Sequence, residues 1–266
     1  MMTLSEQLAD EPAIAPEAPP PINRLSIAHL LLWTTTTAMV LAFIRQSSTG
    51  ISVSEFANPS DPSFSAALVK LQYAEWLQRL MFCVTAPAYG AALAGAGLAA
   101  YRLAARRPGF PTQPGHWLLL LIAVFPLAAA LDGLLPTVRF RFFVAPIITL
   151  MLLGAISSCA VVFVRKPMRW RVAFGLADIG SAGLTIALGI AMLTFRLDGV
   201  STIASLLAVA ASCILAASVL AAIASSILDL RAKDPFDVFH WTGVATLFAT
   251  IAHLLIVWGI TVAMVD

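Results

Sequence analysis

The chain alternates between long apolar runs and short polar or charged segments. Seven runs are long enough to cross a bilayer, since about 20 apolar residues cover about 30 Å of hydrocarbon. The runs are continuous rather than alternating, so they predict helices and exclude a barrel of strands. They cover residues 25–44, 80–103, 117–135, 143–164, 172–195, 200–228 and 241–265. The pattern therefore predicts an all-α integral membrane protein, a bundle of seven transmembrane helices without a soluble domain.

The first 23 residues differ from everything that follows. Four acidic residues and five prolines occur there with little that could be buried, which predicts a disordered acidic Pro/Ala-rich tail. The tail is acidic where a signal peptide requires basic residues, so we expect it to remain in the mature protein. The transmembrane domain is predicted to occupy residues 24–266.

One loop, between the first two runs, is long enough to have structure of its own. Asp61 and Pro62 suit the N-cap and first position of a helix. The residues after them place apolar side chains beside Lys70 and Glu75 at helical spacing. This predicts a helix over residues 62–79 that lies in the membrane interface before the second span. A soluble lid packed on the bundle is the alternative.

The composition supports a membrane location and narrows the possible partners. Hydrophobic residues make up 60% of the chain and charged residues 11%, against roughly 45–50% and about 25% in soluble domains. The net charge of +2 argues against a nucleic-acid partner. The three cysteines all fall in apolar runs, which suits neither a disulfide framework nor a zinc site.

The distribution of Lys and Arg predicts the orientation, because cytoplasmic segments carry an excess of these residues. Ten lie on the side that includes the N-terminus: Arg24, Arg102, Arg106, Arg107, Arg165, Lys166, Arg169, Arg171, Arg231 and Lys233. Six lie on the opposite side: Arg45, Lys70, Arg79, Arg139, Arg141 and Arg196. We therefore expect a bacterial-type inner (plasma) membrane protein with a cytoplasmic N-terminus and an external C-terminus.

Several kinds of chemistry are missing from the sequence. All three lysines lie outside the apolar runs, so none can form a buried Schiff base with retinal. No glutamate lies in a run, which excludes the ligand set of di-iron bundles, and neither a nucleophile elbow nor a phosphate loop occurs. A haem between His29 and His253 would need both rings at one level, whereas their depths differ by about 11 Å. We expect no cofactor and no bound metal.

Four ionisable residues lie inside the predicted spans, where each is a functional hypothesis because burying a charge there is costly. They are His29, Asp132, Asp178 and His253. At 1.5 Å per residue, His29 and Asp178 lie about 7 and 9 Å from the inner boundary, and His253 and Asp132 about 18 and 22 Å. These depths allow two pairs, Asp178 with His29 and Asp132 with His253. The alternative is that each group bonds to a nearby carbonyl or hydroxyl.

Two further patterns concern packing. Small residues recur at helical spacing in the second, fifth and sixth runs, which favours close helix contacts over a polar pathway. A His-Trp pair opens the third run (His116 and Trp117) and recurs at the start of the seventh (His240 and Trp241). This pair suggests an internal repeat with three spans on each side of a central one.

The sequence favours a non-enzymatic membrane module, a complex subunit or assembly factor, because packing patterns are abundant and recognisable chemistry is absent. Its expected partners are the lipid bilayer and other membrane subunits or a second copy. The main alternative is a transporter or channel for a small solute or protons that uses the intramembrane Asp and His residues. A membrane sensor remains open, and so does an intramembrane enzyme with Ser157 or Ser158 close to His253.

Overall fold

Helices make up nearly all of the part of the chain that the computed structural model describes. It describes residues 27–48, 63–105, 111–134, 144–164, 167–193, 200–232 and 236–265, and this part of the chain contains no strand. The helices are α1 (Ile27–Ser48), α2 (Ser63–Ala104), α3 (Pro114–Leu134), α4 (Ala145–Phe163), α5 (Met168–Leu193), α6 (Val200–Ala232) and α7 (Val238–Val265). The predicted all-α class is confirmed, and the tail over residues 1–23 lies outside the described residues.

Four segments are long and apolar enough to cross a membrane. They are Ala145–Phe163, Met168–Leu193, Thr202–Ala232 and Val238–Ile256, and their mean hydropathies over an 18-residue window are 2.2, 1.8, 2.6 and 1.4. Shorter apolar segments occur in α1 (Ile27–Ala42) and α3 (Pro114–Ala130). Such helices suggest a location in a membrane, as the composition predicts.

Helix α2 differs from the predicted arrangement of an interfacial helix followed by a span. A single helix of 42 residues runs from Ser63 to Ala104, without a break at residues 79 and 80. At 1.5 Å per residue its length is about 63 Å, twice the thickness of a hydrocarbon core. The sequence contains no helix-breaking signal at the predicted boundary, and Pro87 lies inside the helix without ending it.

Each helix packs mainly against the next one in sequence, except the last, which packs against two early helices. Consecutive helices from α1 to α6 pack against each other, and α7 packs against α2 and α3. The largest buried cluster joins α3, α4, α5, α6 and α7 around the indole rings of Trp117 and Trp170. This core lies towards the end of the bundle where α3, α5 and α7 begin and α6 ends.

Helices α3 and α7 approach each other closely at this end because two glycines face each other. A Cβ atom on Gly115 would overlap the carbonyl oxygen of His240, and one on Gly243 would overlap the carbonyl oxygen of Gly115. Only a residue without a side chain permits this spacing of the two backbones. The crossing therefore fixes the register in which His116 and His240 are presented.

Candidate functional site

A buried polar cluster lies where four helix ends meet. Residues from the start of α3, α5 and α7 and the end of α6 contribute, and all but one of them are almost fully buried. The cluster consists of His116, Arg169, Trp170, Asp229, Asp237 and His240. Arg169 is the exception, since 29% of its side chain is exposed.

His116 and Asp237 form the first contact of the cluster. His116 Nε2 lies 3.0 and 3.1 Å from the two carboxylate oxygens of Asp237. The backbone N–H groups of Thr112 and Gln113 point at the other ring nitrogen, Nδ1, from 3.2 and 3.4 Å. These donors require a lone pair on Nδ1, so the ring carries its proton on Nε2 and donates it to Asp237.

Asp237 is also the N-cap of α7. Its Oδ1 accepts a hydrogen bond of 2.9 Å from the backbone N–H of His240, three residues later, while its own N–H donates to Gln113 Oε1 at 3.0 Å. Burial raises the pKa of Asp237, but the hydrogen bonds from His116 and from the His240 amide outweigh it and leave the pKa below its ordinary value. The carboxylate is therefore held in its charged form.

His240 makes the second contact, and its Nδ1 also accepts a backbone hydrogen bond. Its Nδ1 accepts a 3.0 Å hydrogen bond from the backbone N–H of Gly115, so the ring proton lies on Nε2. This Nε2 lies 3.3 Å from Asp229 Oδ2, an ion-pair distance outside good hydrogen-bond geometry. Phe236 stacks on the imidazole with ring centroids 3.9 Å apart. The ring is enclosed on all sides, since none of its surface is exposed.

Asp229 accepts hydrogen bonds from two side chains of α5 and faces His240 of α7. Arg169 donates to Oδ1 through Nε at 3.1 Å and through a second, shorter contact from its terminal nitrogen. Trp170 Nε1 donates to Oδ2 at 2.8 Å. A buried carboxylate needs this many partners, because an unpaired charge in a low dielectric is strongly destabilising. Asp229 thereby ties the end of α6 to the start of α5.

We call His116, Asp229, Asp237 and His240 the clasp, because these residues hold helix ends together rather than form a reactive centre. Both ring nitrogens of His116 are hydrogen-bonded, whereas His240 is bonded through Nδ1 and its Nε2 faces Asp229 without a hydrogen bond. A histidine that carries protons must be able to bind a second one, and a backbone N–H directed at Nδ1 opposes this. In the described part of the chain, no group of three His, Cys, Asp or Glu side chains could hold a metal ion.

His29, one of the predicted site residues, lies beside a small cavity. The cavity has a volume of about 30 Å³ and is bounded by α1, α2, α3 and α7, with His29, Trp33, Leu119, Phe239 and Thr242 among its lining residues. His29 packs edge-on against Phe239, with ring centroids 5.1 Å apart. This volume suits a water molecule rather than an organic solute.

The other predicted site residues are scattered. Asp178 lies on α5 beside Gly154 of α4, whereas His29 lies on α1 against α7, so the structure does not bring this pair together. His253 is half-buried on α7. The side chain of Asp132 lies outside the described residues, so its pairing with His253 stays a prediction.

Ser157 has no hydrogen bond to His253, which it would need to act as an activated nucleophile. Its side chain is fully buried in α4, and its hydroxyl makes no hydrogen bond within the described residues. Activation of a serine by His253 would require a hydrogen bond between the two side chains. Ser157 does not have this bond in the structure.

The cluster itself was missed by sequence reasoning. His116 and His240 stood out only as a repeated His-Trp pair, Arg169 only as a marker of orientation, and Asp229 lies one residue beyond an apolar run that ends at Leu228. Asp237 offered a signal, since Asp before an apolar helical segment is a typical N-cap.

Comparisons with protein-family models, with curated proteins and with solved structures found no match for this chain. The functional conclusion therefore depends on the geometry of the cluster and on the surfaces around it.

Proposed function

We propose that this chain is a multi-pass integral membrane protein that serves as a non-enzymatic module, a subunit or assembly factor of a larger membrane complex. The observation that carries the proposal is the clasp of His116, Asp229, Asp237 and His240. Most of its polar groups are hydrogen-bonded within the protein, and it holds four helix ends in one arrangement. Such a cluster supports a rigid scaffold rather than a moving carrier.

The proposed topology has seven spans, with the N-terminus in the cytoplasm of a bacterial-type cell and the C-terminus outside. The excess of Lys and Arg on the N-terminal side supports it, as does the presence of four segments that are long and apolar enough to cross a bilayer. A periplasmic reporter enzyme fused after Asp266 should be active, and the same reporter fused before Leu25 should be silent. The reverse pattern would overturn this topology.

Apolar surface along the outer helices supports a role in assembly. Large side chains of α1 and α6 are left uncovered, including Leu31 at 63%, Leu206 at 67% and Leu220 at 66% exposure. In a membrane these faces contact lipid or other helices. A module that works through its surface needs such faces, whereas a carrier needs an internal path.

The second candidate is a transporter or channel for a small solute or protons. The cavity beside His29 is the observation in its favour, since it places an ionisable side chain next to an internal space. Its volume of about 30 Å³ and its lack of contact with Asp178 or His253 favour the module instead.

Flux measurements on the purified chain separate the two candidates. Vesicles that contain the protein and a pH-sensitive dye should respond to an imposed pH difference or sodium gradient no faster than empty vesicles. In parallel, the native protein extracted in mild detergent should migrate with stoichiometric partners on a native gel. A chain that purifies alone and conducts protons or sodium, with the conductance lost in His29→Gln, would overturn the proposal.

A further inference from the structure

Among the predicted site residues, Asp178 is the one whose structural environment indicates a binding partner from another molecule. It lies in α5, about 9 Å along the helix from Val172 at the start of the predicted span. Its side chain is half-buried, and no donor from the described residues reaches its carboxylate, in contrast to Asp229 and Asp237. Acidic residues at such depth usually pair with a basic group, because an isolated charge in a membrane is costly.

The carboxylate lies over bare backbone. Asp178 Oδ1 is 3.6 Å from the position that a Cβ atom of Gly154 would occupy, and Ser181 Oγ is 3.0 Å from that position. Ser181 fills the space beside Gly154, but Gly154 and Asp178 are both half-buried, so the seam between α4 and α5 is partly open here; we call this seam the groove. The hydroxyl of Ser181 does not bond the carboxylate, since it donates to the backbone oxygen of Asp178 at 2.9 Å.

The groove opens onto an apolar surface. Ile179 and Ile186 of α5 are 59% and 57% exposed, and Met151 of α4 is 60% exposed. A small residue flanked by large apolar ones is the surface on which membrane helices pack closely. The acidic group therefore lies at the edge of a surface that suits a helix rather than a soluble ligand.

The basic residues of this chain cannot supply the missing charge. The sixteen Lys and Arg residues all lie in or beside the segments that connect the predicted spans. The two described basic residues at the start of α5 are already engaged: Arg169 is bound to Asp229, and Arg171 Nε donates to the backbone oxygen of Val161. A second copy would present His29, rather than a Lys or Arg, near the depth of Asp178. A permanently charged partner for Asp178 would therefore belong to a different protein.

We propose that the groove between α4 and α5 docks a membrane helix of another protein, and that a Lys or Arg of this helix pairs with Asp178. The proposal rests on the proposed function as a complex subunit and names the partner's chemistry. Charge complementarity and the bare backbone at Gly154 select this occupant, since the charge gives specificity and the glycine gives close approach.

A synthetic helix serves as the probe. The full chain in lipid vesicles, with a dye at its N-terminus, is mixed with a labelled Leu/Ala helix that carries one Lys about 9 Å from its inner end. Two control helices carry Leu at that position, or Lys at the same distance from the outer end. Energy transfer should show that the first helix binds about tenfold more tightly than either control, the size expected for one interhelical polar contact.

Variants of the chain attribute the preference to the carboxylate. Asp178→Asn should bind all three helices equally, and Asp178→Glu should retain the preference for the matched Lys. Equal binding of the three helices by the natural chain overturns the proposal. So does self-association that blocks the groove without any helix added, or retention of radioactive sodium by the natural chain but not by Asp178→Asn. These results leave the flux measurements untouched, so the docking site can fail while the module stands.

Discussion

Asp229 and Asp178 are two acidic side chains on neighbouring helices, and the protein treats them in opposite ways. Asp229 is fully buried at the end of α6 and accepts hydrogen bonds from Arg169 and Trp170. Asp178 is half-buried well inside α5, beside the bare backbone of Gly154, with no donor from the described chain. The comparison shows that, among the described residues, the carboxylate at a helix end is paired within this chain and the carboxylate inside α5 is not.

The position along a helix explains the difference. At the ends, the chain can place Arg beside the membrane boundary at little cost, and the start of a helix also offers free backbone N–H groups, as at Asp237. In the middle of a span the backbone is already bonded, so only a side chain from a neighbouring helix can reach a carboxylate. The α4 surface next to Asp178 offers Gly154, which has no side chain.

The largest expected loss of stability comes from a substitution of Asp229, the carboxylate that is paired within the chain. Asp229→Asn removes the charge that Arg169 and His240 face and should lower the stability by about 3 kcal/mol, as for a broken buried ion pair. Asp178→Asn, which removes no contact within the chain, should cost less than about 1 kcal/mol. Denaturant titration of both variants in the same detergent measures the contrast. Equal losses would show that Asp178 has a partner inside the protein.

The second largest loss of stability is expected at the close crossing of α3 and α7, which positions the clasp. Gly115→Ala forces a methyl group into the backbone of α7 and should cost about 2 kcal/mol. Gly97→Ala is the matched control, because a Cβ atom at Gly97 meets nothing within 4 Å. Alanine should stabilise that exposed helix position by about 0.5–1 kcal/mol, the helix-propensity gain. Thermal unfolding of the two variants decides the matter, and equal losses would contradict the close approach.

The charged state of the clasp predicts a dependence on pH. The pKa of Asp237 is lowered in the folded protein from its ordinary value of 3.8. Its stabilising contribution is therefore complete above pH 3.8 and is lost as the pH falls through the lower folded value. Melting temperatures measured between pH 7 and pH 3 should fall less steeply in Asp237→Asn than in the natural chain. Parallel curves would show that Asp237 does not contribute.

The smallest expected effect has the opposite sign and concerns a polar group that the protein leaves without a partner. Ser157→Ala removes a buried hydroxyl with no hydrogen bond and should raise the stability by up to about 1 kcal/mol. Ser226→Ala is the control, since this equally buried hydroxyl donates to the Ala222 carbonyl oxygen at 2.8 Å. It should lower the stability by about 1 kcal/mol. A loss in Ser157→Ala would reveal a partner for its hydroxyl.

The apolar pattern predicted the helices well and the site poorly, for one physical reason. A helix forms from local sequence, so the predicted run 143–164 differs from α4 (Ala145–Phe163) by two residues at one end and one at the other. The contacts of the clasp that join α3 to α7 and α5 to α6 link residues that are 59 to 125 positions apart. Hydropathy also directs attention to charges inside the runs, such as His29, whereas Asp229 and Asp237 lie just outside them.

The boundary at residue 80 failed for a related reason. Residues 62–79 and 80–103 were assigned to two helices because one stretch is amphipathic and the other apolar. The backbone follows helix propensity and continues through Arg79 and Leu80 without a break. A change in hydrophobicity marks a change of surroundings, and a helix can pass through it unbroken.

The distance in sequence between the partners of the clasp sets the order in which it can close during synthesis. Arg169 and Asp229 become available to each other once α6 has been made. His116 has to wait 121 further residues for Asp237, and the Gly115 amide waits 125 for His240. A nascent chain that stops before α7 therefore leaves His116 and Asp229 without these neighbours in the membrane. We therefore expect completion of the last helix to make the newly made protein more resistant to the proteases that remove unfinished membrane chains.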